Sequence, residues 1–265
     1  MRETAEGGFT LTEMAVALMV LGIVIAMTYG IATTLVKQVA SGTATGAGAE
    51  TAQQQMVVLE QYLNGAITPA NADTESGLTS LCSGTGISST RAVQSAYDYA
   101  LELCTAPFNR NACTSSNQSS LNTSCPQLYL LYVDKATCTT SGQCMFKILD
   151  VTASASVVYT WPVFRCSTVC QSDLPTVSGT GGITPPVNET LGHLGNTATP
   201  GFPYLFTFYD GTGTHQVDGS TPSAIQSVHF DAEALNVPVS PIFSAQKFTE
   251  ITDGVWLTGA ATPPA

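Results

Sequence analysis

The sequence predicts an α+β protein in which a long, membrane-spanning N-terminal helix precedes a β-rich, disulfide-containing globular head. Three observations lead to this fold class: a long uncharged segment near the N-terminus, cysteines confined to one region, and short runs rich in Val, Ile, Tyr and Phe. The chain has 265 residues, which suits one membrane segment and one medium-sized domain.

The membrane segment contains 23 consecutive residues without a formal charge, Met14 to Val36, between Glu13 and Lys37. At about 1.5 Å per residue, a helix of this length measures roughly 34 Å and crosses a bilayer. The apolar core of an ordinary secretory signal is shorter, roughly 7 to 15 residues. The segment is therefore interpreted as a retained membrane helix, about residues 14–36.

Helical periodicity continues beyond the membrane segment. Met56, Leu59 and Leu63 recur at helical spacing, and Gly65 then stops the pattern. The helix is predicted over residues 9–64, roughly 84 Å long if it is continuous. Glycines weaken it, each by up to about 1 kcal/mol relative to alanine; they are Gly22, Gly30, Gly42, Gly46 and Gly48.

The head is predicted over residues 65–265. Strands are expected where β-branched and aromatic residues cluster between turn residues: Leu128–Asp134, Cys144–Val151, Val157–Phe164, Tyr204–Tyr209 and Ala224–Asp231. One short helix is predicted over Ser88–Cys104, because apolar residues recur there at helical spacing after a Ser/Thr start. The stretch 171–203, rich in Pro, Gly and Thr, is predicted to be a long exposed loop.

The cysteines predict disulfides. An even set confined to one region is typical of proteins that fold in an oxidising compartment, although reduced, buried thiols are an alternative. A zinc site is disfavoured because no CxxC pair occurs. Cys138/Cys144 and Cys166/Cys170 are the candidate local pairs. The eight disulfide candidates are Cys82, Cys104, Cys113, Cys125, Cys138, Cys144, Cys166 and Cys170.

Composition argues against two classes of function. With eight Lys and Arg and a net charge of −11, the chain cannot form a dense cationic face, so nucleic acid is a poor candidate partner, although a confined basic patch is not excluded. The three histidines, His193, His215 and His229, lie in no catalytic motif, so neither an enzyme nor a cofactor is predicted.

Asp210 and Asp218 are weak calcium candidates; a turn between strands explains their glycine neighbours more simply.

The residues before the membrane segment form an unusual motif. A short polar leader, residues 1–8, ends in two glycines and is followed directly by Phe9 and then by the acidic Glu13, in the run GFTLTE. This motif resembles the cleavage and methylation site of type IV prepilins. The resemblance implies that a prepilin peptidase cuts after Gly8 and methylates the new N-terminal amine on Phe9. It also implies a pilin-like fold.

Glu13 has a physical rationale within that resemblance. A carboxylate at the edge of an apolar helix costs a few kcal/mol in hydrocarbon, and a free amine at Phe9 lies at the positive end of the helix dipole. Pairing Glu13 of one subunit with the Phe9 amine of its neighbour relieves both, and methylation keeps the amine charged. The alternative is that Glu13 merely flanks a membrane anchor. Gly22 and Gly30 are the candidates for local helix flexibility.

These observations predict a structural subunit, a minor pilin of a type IV pilus-like filament that contributes to assembly or adhesion. One alternative is a pseudopilin of a type II secretion system, and another is a surface-exposed binding module on a membrane anchor. A strand ending in Phe208 to Gly211, followed by a strand over Ile225–Val228, is similar to larger minor pilins and pseudopilins. The size of the head also favours a minor subunit.

The resemblance also implies partners and a location. The partners are other pilin subunits, the prepilin peptidase/methyltransferase, the membrane and a pilus assembly platform. The protein is expected to cross the cytoplasmic membrane once, with an extracytoplasmic head, and to reach the cell surface after assembly. The leader has one basic and two acidic residues, so the positive-inside rule gives no orientation.

Overall fold

The structure is a computed structural model. It describes residues 11–69, 82, 87–108, 113–114, 124–139, 143–152, 156–165, 174–178, 182–184, 197–199, 202–203, 205–212, 217, 221–236 and 247–257.

A long α-helix, α1, runs from Leu11 to Asn64 over 54 residues. Its apolar stretch Met14–Leu35 is long enough to cross a membrane, and none of it is buried within the protein. The last four turns are different, because one face of α1 is buried against the head through Ala52, Met56, Leu59, Tyr62 and Leu63. One helix thus has an apolar, uncovered first half and an amphipathic, packed end.

The head contains a five-stranded antiparallel sheet in which each strand pairs with the next along the chain. Its strands are β1 (Val93–Tyr97), β2 (Ala100–Thr105), β3 (Gln127–Asp134), β4 (Gln143–Asp150) and β5 (Ser156–Arg165). A 3₁₀ turn, Lys135–Thr137, connects β3 to β4. Asp134 caps this turn and also pairs with the Lys147 ammonium group on β4.

A second, three-stranded antiparallel sheet follows later in the chain, in the order β10–β11–β12. Its strands are β10 (Phe206–Tyr209), β11 (Ser227–Asn236) and β12 (Lys247–Trp256), and a 3₁₀ turn, Pro222–Ala224, precedes β11. Along the chain, two small two-stranded sheets come between the larger ones. They pair β6 (Thr176–Val177) with β7 (Ile183–Thr184), and β8 (Thr197–Thr199) with β9 (Phe202–Pro203).

One hydrophobic core joins the end of α1 to both larger sheets. The Tyr62 ring of α1 meets the Tyr129 ring of β3 edge-on, with 4.9 Å between centroids. Farther along the core, Phe146 stacks on Trp161 at 5.0 Å and contacts Phe206 of the second sheet at 6.4 Å. Burial raises the pKa of the Tyr62 and Tyr129 hydroxyls, so both remain protonated at physiological pH.

The end of α1 is attached to β2 by hydrogen bonds. The Thr105 hydroxyl donates to the Tyr62 carbonyl at 2.6 Å in a buried position, which satisfies one of the carbonyls that a helix leaves unpaired at its end. After Gly65 the chain turns and runs beside β2, where the Ile67 amide donates to the Cys104 carbonyl at 3.0 Å. We call residues 62–67 and their partners on β2 the helix–head junction.

Thr105 gives a direct test of the helix–head junction. Thr105→Val keeps the shape but removes the hydroxyl, leaving the buried Tyr62 carbonyl without this donor, and should destabilise the head by about 1–3 kcal/mol. Thr105→Ser restores the donor and should recover much of the loss. Thermal unfolding of the full chain in detergent micelles measures both; equal stability of the Val and Ser variants would contradict the role of the hydrogen bond.

Three disulfides are present in the described residues: Cys82–Cys104, Cys113–Cys125 and Cys138–Cys144. None of the cysteines in this part of the structure is free, so the prediction of a disulfide-containing head is confirmed. Cys138–Cys144 is one of the two local pairs that the sequence favoured. Cys166 and Cys170, the other pair, lie outside the described residues.

The short helix predicted over Ser88–Cys104 is wrong, because this region forms the β1–β2 hairpin. Most side chains of both strands are buried or nearly so: one face contributes to the main core and the other covers a smaller cluster with Leu130 and Leu149. Strands buried on both faces do not alternate between apolar and polar residues, and their apolar positions then fit a helical period by coincidence.

The other predicted strands agree with the structure to different degrees. Observed β3, β4 and β5 match their predicted ranges to within one residue at each end. Predicted strand Tyr204–Tyr209 corresponds to β10, although Tyr204 is not described. Predicted strand Ala224–Asp231 begins too early, because Pro222–Ala224 forms a 3₁₀ turn. Within the predicted long loop 171–203, the described residues include the short strands β6 to β9. The sequence analysis predicted no strand at the position of β12.

Candidate functional site: the N-terminal helix

The first half of α1 exposes large apolar side chains on every side. An isolated helix in water would not keep them there, because burying each such side chain is worth about 1.5–3 kcal/mol. This surface therefore requires lipid, neighbouring helices, or both in turn. The exposed side chains are Leu11, Met14, Val16, Leu18, Met19, Val20, Leu21, Ile23, Val24, Ile25, Met27, Tyr29, Ile31, Leu35 and Val39.

The threonines of the membrane segment bond within the helix. Thr28 donates its hydroxyl hydrogen to the Val24 carbonyl at 2.8 Å, and Thr33 and Thr34 both donate to the Gly30 carbonyl at 2.9 Å. These hydroxyl groups therefore need no water and are compatible with hydrocarbon. The hydropathy of the segment gave no indication of this arrangement.

The Gly30 carbonyl has more than one hydrogen-bond donor. It accepts from two side-chain hydroxyls besides lying in the helix, and such competition weakens and bends helices. A Cβ added at Gly22 or Gly30 would meet no atom within 4 Å, so both glycines face open space. A shallow groove beside Gly30 is lined by Met27, Ile31, Thr34 and Leu35. Local flexibility at Gly22 and Gly30 stays a prediction.

Glu13 lies in the first turn of α1, which begins at Leu11. A carboxylate at this end of a helix interacts favourably with the helix dipole. Gly8 and Phe9, the predicted cleavage site and new N-terminus, lie outside the described residues. The pairing of Glu13 with a neighbour's Phe9 amine therefore stays a prediction.

The calcium candidates in the head find a simpler explanation where they are described. The Asp210 carboxylate accepts from the Thr212 amide at 2.9 Å and from the Thr212 hydroxyl at 2.6 Å, which is an Asx turn after β10. Asp218 lies outside the described residues. Within the described ranges, no three His, Cys, Asp or Glu side chains group as they would around a metal ion.

The described histidine, His229, has a packing role. Its ring lies 4.5 Å from the Tyr209 ring and against Gly254, where an added Cβ would come within 2.6 Å of the imidazole. His193 and His215 lie outside the described residues. The main candidate for function is therefore α1 and the motif at its start, with the head as a separate surface.

Comparison with known families agrees with the position of that motif. The family model described as the prokaryotic N-terminal methylation motif matches residues 4–29, which include the Gly8–Phe9 junction, Glu13 and the first 16 residues of the membrane segment. No curated protein and no solved structure is detectably similar to the chain. The chain therefore carries the N-terminal signature of type IV prepilins at the start of an α+β, pilin-like fold.

Proposed function

We propose that this protein is a minor pilin: a structural subunit of a type IV pilus-like filament, cleaved after Gly8, methylated at Phe9, assembled through α1 and contributing to assembly or adhesion. The observation that carries the proposal is the methylation motif at residues 4–29 directly before a helix whose first half is apolar and uncovered on all sides. The role is structural, with no catalytic step assigned to the head.

The surface of α1 fits two successive environments. In the precursor, Met14–Leu35 spans the cytoplasmic membrane as a single helix. After processing, neighbouring helices replace the lipid, so the same apolar side chains stay out of water in both states. Subunit transfer then exchanges one apolar environment for another, and a specific polar contact has to determine which register each helix adopts.

Glu13 and the Phe9 amine supply that contact in the proposal. A carboxylate and an ammonium group brought together in an apolar surrounding interact strongly, and each alone is costly there. A buried pair of this kind selects one register because every shifted register leaves both charges unpaired. The assembly platform and the neighbouring subunits are the partners that this step requires.

The disulfides of the head support an extracytoplasmic location. Three bridges in the described residues form and persist in oxidising compartments. They support a head outside the cytoplasm, and the proposal puts the leader on the cytoplasmic side, where a prepilin peptidase acts. The size of the head suits a minor subunit better than a repeated major one.

Mass spectrometry of the N-terminal peptide tests the proposal. The peptide is measured in the membrane fraction and in filaments sheared from cells. A peptide that starts at methylated Phe9 is expected in both fractions. The same peptide found in membranes alone would favour the pseudopilin alternative, whose N-terminal motif is nearly the same. A Met1 start in every fraction would contradict the proposal and leave an ordinary membrane-anchored protein.

A further inference from the structure

The outer face of the β10–β11–β12 sheet carries aromatic side chains that the filament role does not use. Val228 and Val255 are buried toward the core, so the residues alternating with them along each strand face the other side. On that side, Tyr209 and Trp256 both pair in register with Ser227, one from each neighbouring strand. We call Tyr209, His229 and Trp256 the aromatic surface.

Trp256 is 50% exposed, an uncommon position for so large an apolar side chain. The chain has two tryptophans, and the other, Trp161, is 8% exposed and stacked on Phe146 in the core. His229 lies two residues along β11 from Ser227, on the same face, and pairs in register with Thr207 and Gly254. Gly254 pairs with His229 and has no side chain, so the His229 imidazole lies close to the β12 backbone.

Polar groups accompany the rings. Ser227 is 1% exposed, and its hydroxyl has no hydrogen-bond partner among the described residues. It lies at the base of the aromatic surface, between Tyr209 and Trp256. Asp210 and Thr212 follow directly after Tyr209 and are half-buried and exposed respectively. An apolar platform with a few polar groups beside it is typical of small-ligand sites.

We propose that the aromatic surface binds a neutral carbohydrate. One face of a pyranose ring presents C–H hydrogens with partial positive charge, which match the negative face of an indole or phenol ring. The hydroxyl groups at the edge of the sugar can bond to the carboxylate of Asp210, and to the Ser227 hydroxyl once binding uncovers it. Binding would attach the head to a glycan, whether the protein belongs to a pilus-like filament or to a secretion pseudopilus.

Charge and size select this class of ligand over others. The net charge of −11 with eight Lys and Arg disfavours phosphates, nucleic acids and anionic lipid surfaces. A protein partner of ordinary affinity covers about 800 Å² on each side, whereas the aromatic surface offers one half-exposed indole and two half-buried rings. One or two sugar rings match that area.

The test uses tryptophan fluorescence and saturation-transfer NMR on the full chain in a detergent without a sugar headgroup. The probes are four neutral tetrasaccharides: cellotetraose, maltotetraose, chitotetraose and mannotetraose. At least one is expected to receive saturation transfer and to shift the emission of Trp256, while the buried Trp161 supplies an unshifted background. No transfer and no shift with all four sugars would overturn the proposal.

Variants separate stacking from general surface effects. Trp256→Ala should weaken sugar binding by about tenfold or more, the loss of roughly 1.4 kcal/mol, while Trp256→Phe should retain part of it. Val158→Ala, which changes another exposed apolar side chain of a strand, is the matched control and should bind as the parent does. Equal binding by the Trp256→Ala protein would overturn the assignment, as would a Trp256 emission that shifts only on self-association.

Discussion

Glu13→Ala is expected to remove the protein from sheared filaments while leaving it in the membrane. The substitution makes insertion easier, because a carboxylate near the hydrocarbon costs a few kcal/mol. It also leaves the neighbour's Phe9 amine without its partner, and each 1.4 kcal/mol lost from the correct register lowers its population about tenfold. The ratio of the protein in sheared material to that in membranes should therefore fall by an order of magnitude or more.

Two controls make this result specific. Glu50→Ala changes a glutamate that is exposed on the same helix and lies beyond the membrane segment, and it should leave the ratio near that of the parent. The N-terminal peptide of the Glu13→Ala protein should still begin at methylated Phe9, which places the defect after processing. Normal incorporation of the Glu13→Ala protein would show that Glu13 merely flanks the anchor.

Gly65→Ala is expected to destabilise the head strongly for so small a change. At this position an added Cβ would come within 2.7 Å of the Thr105 hydroxyl oxygen and 2.8 Å of the Ala106 carbonyl carbon. The Ala106 backbone cannot move away easily, because its amide already donates to the Gly65 carbonyl at 3.1 Å. Overpacking of this kind costs about 1–3 kcal/mol, and for a head of this size it lowers Tm by roughly 2–12 °C.

The same substitution at Gly22 is the matched control. A Cβ there meets nothing within 4 Å, and alanine is favoured over glycine inside a helix by up to about 1 kcal/mol. Circular dichroism of the full chain in micelles should therefore show a lower Tm than the parent for Gly65→Ala and no decrease in Tm for Gly22→Ala. A Tm of the Gly65→Ala protein equal to that of the parent would mean that the helix–head junction can move to accommodate the added Cβ.

The parts of the fold that could be predicted from the sequence are those with one dominant physical requirement. Met14–Leu35 was predictable as a helix because a single apolar segment that crosses a membrane can satisfy its backbone groups only within itself. Strands β3, β4 and β5 combine β-branched and aromatic residues with clear turn residues at their ends. The cysteines indicated disulfides by their number and confinement, without giving the connectivity of Cys82 or Cys113.

The errors arose where tertiary contacts decide the local structure. Apolar residues of β1 and β2 fit a helical period, and only pairing with β3 reveals the hairpin. Observed β12 contains Lys247, Asp253 and Gly254, which are typical of loops, and it becomes a strand because it pairs with β11 along ten positions. Local propensity alone could not have indicated either pairing.

The candidate site divides in the same way. The motif around Gly8, Phe9 and Glu13 is contiguous in the sequence, so it could be found there without knowledge of the fold. The contact between Thr105 and Gly65 could not be found from the sequence, because these residues are 40 positions apart in the chain. The exposure of Trp256 depends equally on the register of β11 with β12.

The helix–head junction has a mechanical consequence for a subunit under tension. Force applied along α1 loads its packed last turns and then residues 65–67, which lie beside β2, an inner strand held by both β1 and β3. Should those hydrogen bonds rupture, the Cys82–Cys104 bond stops further extraction. The slack released between residues 67 and 82 is then at most about 50 Å, so an overstretched subunit would lengthen by that tether while its sheets remained folded.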